Sequence, residues 1–155
     1  MILKKEISVV GLGFVGAAMA IAINSIKKKN KNLYKVIGIE QNNEHGRKLS
    51  KTLNSGIFPY KVNDQILIKK SKLLKNKSNF CALNEIKYIK NSKIVICSIN
   101  FDIFEKKNRF FTNSNIFLSA IEEIATHINQ KSTLILESTV PPGFCEKKLL
   151  PVFKK

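Results

Sequence analysis

Apolar and polar residues alternate along the chain in blocks that predict strands separated by helices. Short apolar runs of strand length recur between longer segments of mixed polarity. Five strands are expected, at residues 7–10, 34–40, 79–83, 92–98 and 132–138. The run at 92–98 is apolar enough for a strand that is buried on both faces of a parallel sheet.

The segments between these runs carry apolar residues at the spacing of amphipathic helices. Helices are expected at residues 14–28, 41–53, 63–74, 84–90, 115–129 and 144–153. Asn42 or Asn43 can cap the second helix, and Asn63 with Asp64 can cap the third. The first helix is expected to bury one face, formed by Val15, Ala18, Met19, Ile21, Ala22 and Ile26. Residues 99–113 are expected to form a loop or short helix over the top of the sheet.

Strands that alternate with helices predict an α/β fold, with a parallel sheet and right-handed crossovers. An open sheet of about five strands in the order 3-2-1-4-5, with helices on both faces, is expected for a single domain over residues 1–155. In that order a ligand crevice forms at the carboxyl ends of the first and fourth strands. The crevice would bring together residues 11–16, 98–102 and 138–143.

A glycine-rich loop joins the first predicted strand to the first helix. Gly11, Gly13 and Gly16 have the GxGxxG spacing directly after the apolar run. In this setting the first glycine permits a tight turn, the second lets the backbone approach a pyrophosphate, and the third lets the helix pack closely on the sheet. The positive end of the helix then favours a phosphate. The loop predicts a Rossmann-type dinucleotide site; the alternative is a structural glycine turn without a ligand.

The second predicted strand ends in Glu40, 24 residues beyond Gly16. A carboxylate at this position can accept hydrogen bonds from adenosine ribose hydroxyls and would repel a 2′-phosphate. The predicted cofactor is therefore NAD rather than NADP. A solvated strand end is the alternative role of Glu40.

Charge changes this picture little. The net charge of +16 comes from 25 lysines and only two arginines, spread along the whole chain. Nucleic-acid modules more often cluster arginines and exposed aromatics, so no specific nucleic-acid partner is expected. The dense run at 27–31 is placed at the C-terminus of the first helix, where cations are favourable; a functional anion patch is the alternative. Polyanion binding driven by charge is a separate hypothesis.

The remaining reactive side chains predict no further chemistry. Cys81, Cys97 and Cys145 are widely spaced and fit reduced thiols. His45 and His127 lack partners at ligand spacing, so no metal site is predicted, although His45 is close enough to Glu40 to approach the adenosine side. Without a bilayer-length apolar run or a signal-peptide layout, a cytoplasmic location and no membrane partner are expected.

Three blocks in the chain resemble the UDP-glucose/GDP-mannose (nucleotide-sugar) dehydrogenase family. They are VVGLGFVG at 9–16, NSG-x-FP at 54–59 and ESTVPPG at 137–143. The match is to the family's N-terminal NAD-binding domain, and it covers essentially the whole chain in order and spacing. ESTVPPG is much more specific than the glycine loop. Together with the following Cys145-Glu146-Lys147 it is similar to the branch that oxidises UDP-N-acetylhexosamine-type sugars.

The resemblance implies oxidation of a sugar C6 alcohol to a carboxylate in two NAD-dependent steps, through a cysteine-bound thiohemiacetal and thioester, in polysaccharide biosynthesis. It also implies roles for individual residues. Glu40 matches the ribose-binding acid, which is usually Asp, and Thr139 matches a threonine near the nicotinamide that helps position a catalytic water. Val15 could instead pack the helix, and Thr139 could cap the next turn. The cofactor-binding residues expected in all are Gly11, Gly13, Phe14, Val15, Gly16, Glu40, Ser98, Asn100 and Thr139.

Two departures from the family pattern limit what is carried over. Ile99-Asn100-Phe101 stands where many members have Pro-Thr-Pro, although Asn100 could still hydrogen bond near the cofactor. In relatives the sixth strand, the nucleophilic cysteine and the sugar site lie beyond the part that this chain matches. Cys145 is therefore expected to be a packed or surface thiol.

The chain is accordingly expected to be the NAD-binding portion of such an enzyme, truncated before the sixth strand and the central and C-terminal domains, and inactive alone. A nucleotide sugar would bind only if the missing domains were supplied. The alternative is a non-enzymatic nucleotide-binding or interaction module. The open edge of the fifth strand would then pair with a partner chain or a second copy.

Overall fold

A five-stranded parallel sheet forms the centre of the fold. The computed structural model describes residues 5–106, 108–112 and 114–154. The strands of the sheet are β1 (Lys5–Val10), β2 (Tyr34–Ile39), β3 (Phe80–Leu83), β4 (Ile94–Cys97) and β5 (Thr133–Leu136). They lie in the order β3-β2-β1-β4-β5, and every pairing is parallel. The predicted fold class and strand order are therefore confirmed.

Among the described residues, four α-helices flank the sheet: α1 (Phe14–Asn24), α2 (Glu44–Asn54), α3 (Gln65–Lys72) and α4 (Ser114–His127). A 3-10 helix (Ile86–Asn91) precedes β4, and a π-helical turn (Cys145–Leu149) followed by a 3-10 helix (Leu150–Lys154) comes after β5. Two predicted caps are confirmed. Asn43 accepts a hydrogen bond from the Gly46 N–H at 2.8 Å, and Asp64 accepts from the first turn of α3.

The core consists of two apolar clusters, one on each face of the sheet. Val9 belongs to the cluster that packs against α1, and its neighbour Val10 belongs to the cluster that contains Phe117 and Ile121 of α4. Because successive strand residues point to opposite faces, a strand covered on both sides needs a continuous apolar run. Residues 7–10 of β1 are all buried, and three of the four are apolar; the exception is Ser8, whose hydroxyl is hydrogen bonded to that of Ser92 at 2.7 Å. None of the described helices is long and apolar enough to cross a membrane.

The predicted first helix is too long by four residues, and the lysine run does not lie at its end. α1 ends at Asn24, and its last turn contains no basic residue. Lys27–Lys28 and Lys31–Asn32 instead pair as a short antiparallel hairpin. Lys29 and Asn30 have φ values of 49° and 61°, as the two-residue turn of a hairpin requires. The placement of these lysines at a helix C-terminus was therefore wrong.

The buried face of α1 also differs from the prediction. Val15, Ala22 and Ile26 are exposed. The buried residues of this helix are Gly16, Ala17, Ala20, Ile21 and Asn24. Apolar residues lie all around α1, so their spacing could not decide which side faces the sheet. The close contact between Gly16 and the Gly11 carbonyl selects that side.

Two further segments differ from the predictions. In the region expected to be a loop or short helix, Ile103–Lys106 pairs antiparallel with Arg109–Thr112. The aromatic and β-branched residues of this region favour strands, and Asn108 provides the positive φ of the turn. The expected helix at 144–153 is irregular because Pro151 has no N–H to continue an α-helical pattern.

Candidate functional site

The corner between β1 and α1 is built so closely that only glycine fits at two positions. Gly11 has a φ of +90°, and a Cβ there would lie 2.7 Å from the carbonyl oxygen of Ser98. A Cβ on Gly16 would overlap the carbonyl oxygen of Gly11. Both neighbours are backbone atoms that cannot move aside. The absence of side chains at these two positions therefore lets β1, α1 and the end of β4 approach one another closely.

Gly13 differs from the other two glycines because it faces open space. A Cβ added there would meet no protein atom within 4 Å, and its φ of −57° is an ordinary value. It is the N-cap of α1, and it provides no side chain to accept hydrogen bonds from the first-turn N–H groups. Such N–H groups, together with the helix dipole, favour an anion. The corner thus has the shape and donors that a pyrophosphate requires.

Glu40 lies against this corner. The backbone N–H of Leu12 donates to Glu40 Oε2 at 2.7 Å, and that of Gln41 donates to Oε1 at 2.9 Å. Each carboxylate oxygen keeps a further lone pair for a ligand hydroxyl. Glu40 is half-buried and lines the cleft beside the corner. Its proposed contact with a ribose remains a prediction.

A cleft of about 690 Å³ extends from the corner over the carboxyl ends of β1 and β2. Its far wall is formed by residues 84–87 and one face of α4. His45 lines this cleft, as does Glu40, and its proposed approach to the adenosine side remains a prediction. His127, for which no metal site was predicted, also lines the cleft; its Nδ1 lies 2.9 Å from the Glu123 carbonyl oxygen.

A smaller cleft of about 370 Å³ lies on the other side of the corner. The three segments predicted to meet here do meet: Gly13 to Val15, residues 98–102, and Glu137 to Thr139 all line it. Phe14 and Val15 are 49% and 54% exposed, so Val15 does not pack α1 against the sheet. Ser138 Oγ donates to the Ile99 carbonyl at 2.6 Å and joins two of these segments.

The two clefts share Gly13, Ser98, Ile99 and Asn100, and so they form one two-lobed crevice with the glycine corner at its middle. A dinucleotide has the same plan, with two nucleosides on either side of a pyrophosphate. The predicted roles of Ser98, Asn100 and Thr139 remain predictions. Asn100 and Thr139 are exposed in the smaller cleft, and Ser98 is half-buried.

Sequence reasoning missed Tyr60. Its hydroxyl donates to the Leu12 carbonyl at 2.9 Å, and it lines the larger cleft with Glu40. Burial and the nearby Glu40 charge raise the pKa of Tyr60, so its hydroxyl stays a donor at neutral pH. No motif spacing connects Tyr60 with Leu12. The only signal was an aromatic residue directly after Pro59, in a segment that reads as a turn.

The cysteines are all free in the structure. Burial raises the pKa of the Cys97 thiol and of the Cys81 thiol, which disfavours the reactive thiolate. Cys145 is half-buried and packs at the margin of the α4 cluster. Over the described ranges, no group of three or more His, Cys, Asp and Glu side chains is placed to hold a metal ion.

Comparison with known families gives one match over nearly the whole chain. The model of the UDP-glucose/GDP-mannose dehydrogenase family, NAD binding domain, matches residues 5–155. Comparison with curated protein sequences gives no significant match.

Solved structures show the same fold at low sequence identity. NDP-N-acetyl-D-galactosaminuronic acid dehydrogenase from Methanosarcina mazei Go1 is 20% identical, with a TM-score of 0.84 over 97% of this chain and 31% of its own. UDP-D-ManNAc dehydrogenase from Pyrococcus horikoshii is 22% identical, with a TM-score of 0.74 over 97% of this chain and 33% of its own. Lactate dehydrogenase from Eimeria maxima, solved with NADH and oxamate, is 13% identical, with a TM-score of 0.63 over 99% of this chain and 41% of its own. The chain thus spans about a third of the length of the two nucleotide-sugar dehydrogenases that it resembles.

Proposed function

Because the chain belongs to the UDP-glucose/GDP-mannose dehydrogenase family through its NAD-binding domain, we propose that it carries the NAD site of a nucleotide-sugar dehydrogenase. The proposed reaction converts the sugar C6 alcohol to a carboxylate. One alcohol, two NAD and one water would give one carboxylate, two NADH and three protons. When bound, NAD supplies the acceptor for the hydride that leaves the sugar.

One observation carries the proposal: the glycine corner, the Glu40 carboxylate and the two lobes of the crevice lie next to each other. The Leu12 N–H to Glu40 distance of 2.7 Å fixes the acid at the edge of the corner. Gly13 leaves room for phosphates between the lobes. The ADP half would occupy the larger lobe, with Glu40 accepting from ribose hydroxyls. The nicotinamide half would occupy the smaller lobe.

Within the smaller lobe, Thr139 is the residue proposed to act closest to the chemistry. Thr139 is exposed and lines the cleft together with Val15 and Asn100, where its hydroxyl would orient a water or the nicotinamide amide. We propose no nucleophile among these 155 residues. Cys145 packs beside the α4 core and does not line either lobe.

The substrate is proposed to be a UDP-N-acetylhexosamine, because the ESTVPPG block resembles that branch of the family; two of the solved structures with the same fold are dehydrogenases named for N-acetylhexosamine-type sugars. Groups that bind the sugar and attack it would come from outside these residues, either later in the same polypeptide or from a partner chain. The proposal includes a cytoplasmic location, in keeping with three free thiols. The family match favours this reading over a non-enzymatic interaction module.

Calorimetric titration of the 155-residue chain with NAD tests the cofactor site, and NADH absorbance with UDP-N-acetylhexosamines and UDP-glucose tests turnover. We expect saturable NAD binding, weaker binding of NADP, and no NADH formation by the chain alone. Absence of NAD binding by folded chain would overturn the proposed function. Steady NADH production by the pure chain would contradict the part that places the sugar-oxidising groups elsewhere.

A further inference from the structure

Leu12, the residue between the first two glycines, is held at three points. Its side chain is fully buried, and its Cδ2 lies 2.9 Å from the position that a Cβ on Gly38 would take. Its N–H donates to Glu40 and its carbonyl accepts from the Tyr60 hydroxyl. Two side chains from different parts of the sequence thus fix two successive peptide groups of the glycine corner.

The hydrogen bond to the Leu12 carbonyl has a consequence for Gly13. In a trans peptide the carbonyl of one residue and the N–H of the next lie in one plane and point in opposite directions. A hydroxyl that holds the Leu12 carbonyl therefore also sets the direction of the Gly13 N–H. That N–H lies at the N-cap of α1, where both lobes of the crevice meet.

Tyr60 is itself held in place by aromatic contacts. Its ring centroid lies 5.7 Å from that of Phe58 and 6.0 Å from that of Phe14, in edge and tilted geometries. Phe58 and Phe14 lie 5.4 Å apart, so the three rings form one group that joins the segment after α2 to the start of α1. The ring supplies packing, while the hydroxyl supplies the contact with the corner. These two contributions can be separated by removing the oxygen alone.

We propose that Tyr60 is a positioning residue for the cofactor: its hydroxyl orients the Leu12–Gly13 peptide so that the Gly13 N–H is preset to donate to the pyrophosphate. This inference rests on the proposed function. The inference goes beyond the proposed function because it gives Tyr60, the residue that directly follows the NSG-x-FP segment, a role in the phosphate site. Glu40 and Tyr60 then act on opposite sides of one residue, Leu12.

Tyr60→Phe tests the proposal because it keeps the ring and its two aromatic contacts. In the chain without ligand, the hydrogen bond polarises the Leu12–Gly13 peptide, so its loss should shift the Gly13 amide resonance. The Gly13 order parameter should fall from the rigid value of about 0.85 toward about 0.6. Tyr88→Phe is the matched control, since Tyr88 is 39% exposed and lies beside Lys87.

The affinity readout separates positioning from general stability. Tyr60→Phe should weaken NAD and ADP binding by the same factor, about two- to tenfold, as expected for loss of one hydrogen bond. Tyr88→Phe should change neither affinity. A role in stability alone would lower the melting temperature and leave both dissociation constants of the folded chain unchanged.

The outcomes are distinct. An unchanged Gly13 resonance and order parameter in Tyr60→Phe would overturn the proposal, whatever the wild type binds. A shifted Gly13 resonance with unchanged NAD affinity would overturn the cofactor role of Tyr60. A wild-type chain that binds no NAD would overturn the proposed function, and the cofactor role of Tyr60 with it, even if Gly13 responds to the substitution.

Discussion

The two lobes of the crevice are built differently. In the larger lobe, Leu12 of the glycine corner is bonded to Glu40 at 2.7 Å and to the Tyr60 hydroxyl at 2.9 Å, and Glu40 also accepts from the Gln41 N–H at 2.9 Å. In the smaller lobe the lining is mostly exposed, including Phe14, Val15, Asn100, Asp102 and Thr139. The larger lobe is preorganised for a ligand, whereas the side chains that line the smaller lobe remain exposed to solvent.

This difference indicates where the binding energy of the chain should lie. Affinity depends on how much ordering and desolvation remain to be supplied when the ligand arrives. The larger lobe has its donors and its acid in place, so the ADP half of NAD should contribute most of the affinity. The smaller lobe should contribute little until other groups cover it.

The largest expected effect on NAD binding is that of Gly13→Val, which adds a side chain where the two lobes meet. A Cβ at this position would meet no atom within 4 Å beyond the adjoining residues, and the backbone tolerates a side chain, so the melting temperature should fall only by the small cost of replacing glycine with valine at an N-cap. The added side chain would occupy the space of the phosphates and weaken NAD binding by about 100-fold or more. Calorimetry with thermal denaturation on the same sample checks both results.

Gly16→Ala is the matched contrast for this substitution, because its Cβ would overlap the Gly11 carbonyl. It should lower the free energy of unfolding by about 3 kcal/mol or more. Equal NAD affinity of the wild type and Gly13→Val would place the phosphates elsewhere and remove the distinction between the lobes.

Glu40→Ala should have the next largest effect, confined to the larger lobe. It removes the acceptor for the Leu12 N–H and the proposed acceptor for ribose hydroxyls, so NAD affinity should fall about 10- to 100-fold. The discrimination against NADP should shrink as well, because the negative charge is gone. Parallel titrations with NAD and NADP measure both changes. Retained discrimination would show that another group excludes the 2′-phosphate.

Thr139→Val should have a small effect, because it changes only the exposed lobe. The substitution keeps the shape of the side chain and removes a hydroxyl that water also reaches, so NAD affinity should change by less than about threefold. Titration of this variant beside Glu40→Ala sharpens the comparison directly. A loss from Thr139→Val as large as that from Glu40→Ala would contradict it.

The smallest effect on NAD binding is expected from a substitution at the amino end of the sheet, far from both lobes. Lys35 Nζ donates to Glu6 at 2.9 Å, and this hydrogen bond is the main reason that the pKa of Lys35 is raised above 10.5. A lysine whose pKa is higher in the folded chain than in the unfolded chain stabilises the fold. This stabilisation is complete at pH values below the unfolded-state pKa and is lost as the pH rises through the folded-state pKa.

Lys35→Met should therefore lower the free energy of unfolding by about 1 kcal/mol near neutral pH, since the amine is partly exposed whereas the Glu6 carboxylate that loses its partner is largely buried. The gap from the wild type should close as the pH rises beyond 10.5. Urea denaturation of both proteins at several pH values measures this difference in the free energy of unfolding. At neutral pH the variant and the wild type should bind NAD with equal affinity. A gap that widens at alkaline pH would refute the assigned sign.

Much of the fold was predictable because parallel strands buried on both faces leave continuous apolar runs. Asn43 and Asp64 were found as helix caps because capping depends on local chemistry. The errors lie where tertiary contacts outweigh local pattern. The hairpin at Lys27–Lys28 replaced a helix end, and the side of α1 that faces the sheet was set by Gly16 and Gly11 rather than by hydrophobic spacing.

The site was predictable as far as motif spacing reaches. The glycine loop and Glu40 could be placed in one crevice because the carboxyl ends of adjacent parallel strands lie side by side. Tyr60 could not be placed, since it comes from an irregular segment whose path over the corner depends on ring packing with Phe14 and Phe58. A contact between two loops produces no periodic pattern or motif spacing in the sequence from which it could be predicted.

The most direct test of the account compares the two halves of the cofactor as separate ligands. Calorimetric titration of the wild-type chain with ADP, nicotinamide mononucleotide and NAD measures the contribution of each lobe. The account predicts that ADP binds within about tenfold of NAD, and that the mononucleotide shows no measurable binding. Binding of the mononucleotide as tight as that of NAD, with no binding of ADP, would contradict it.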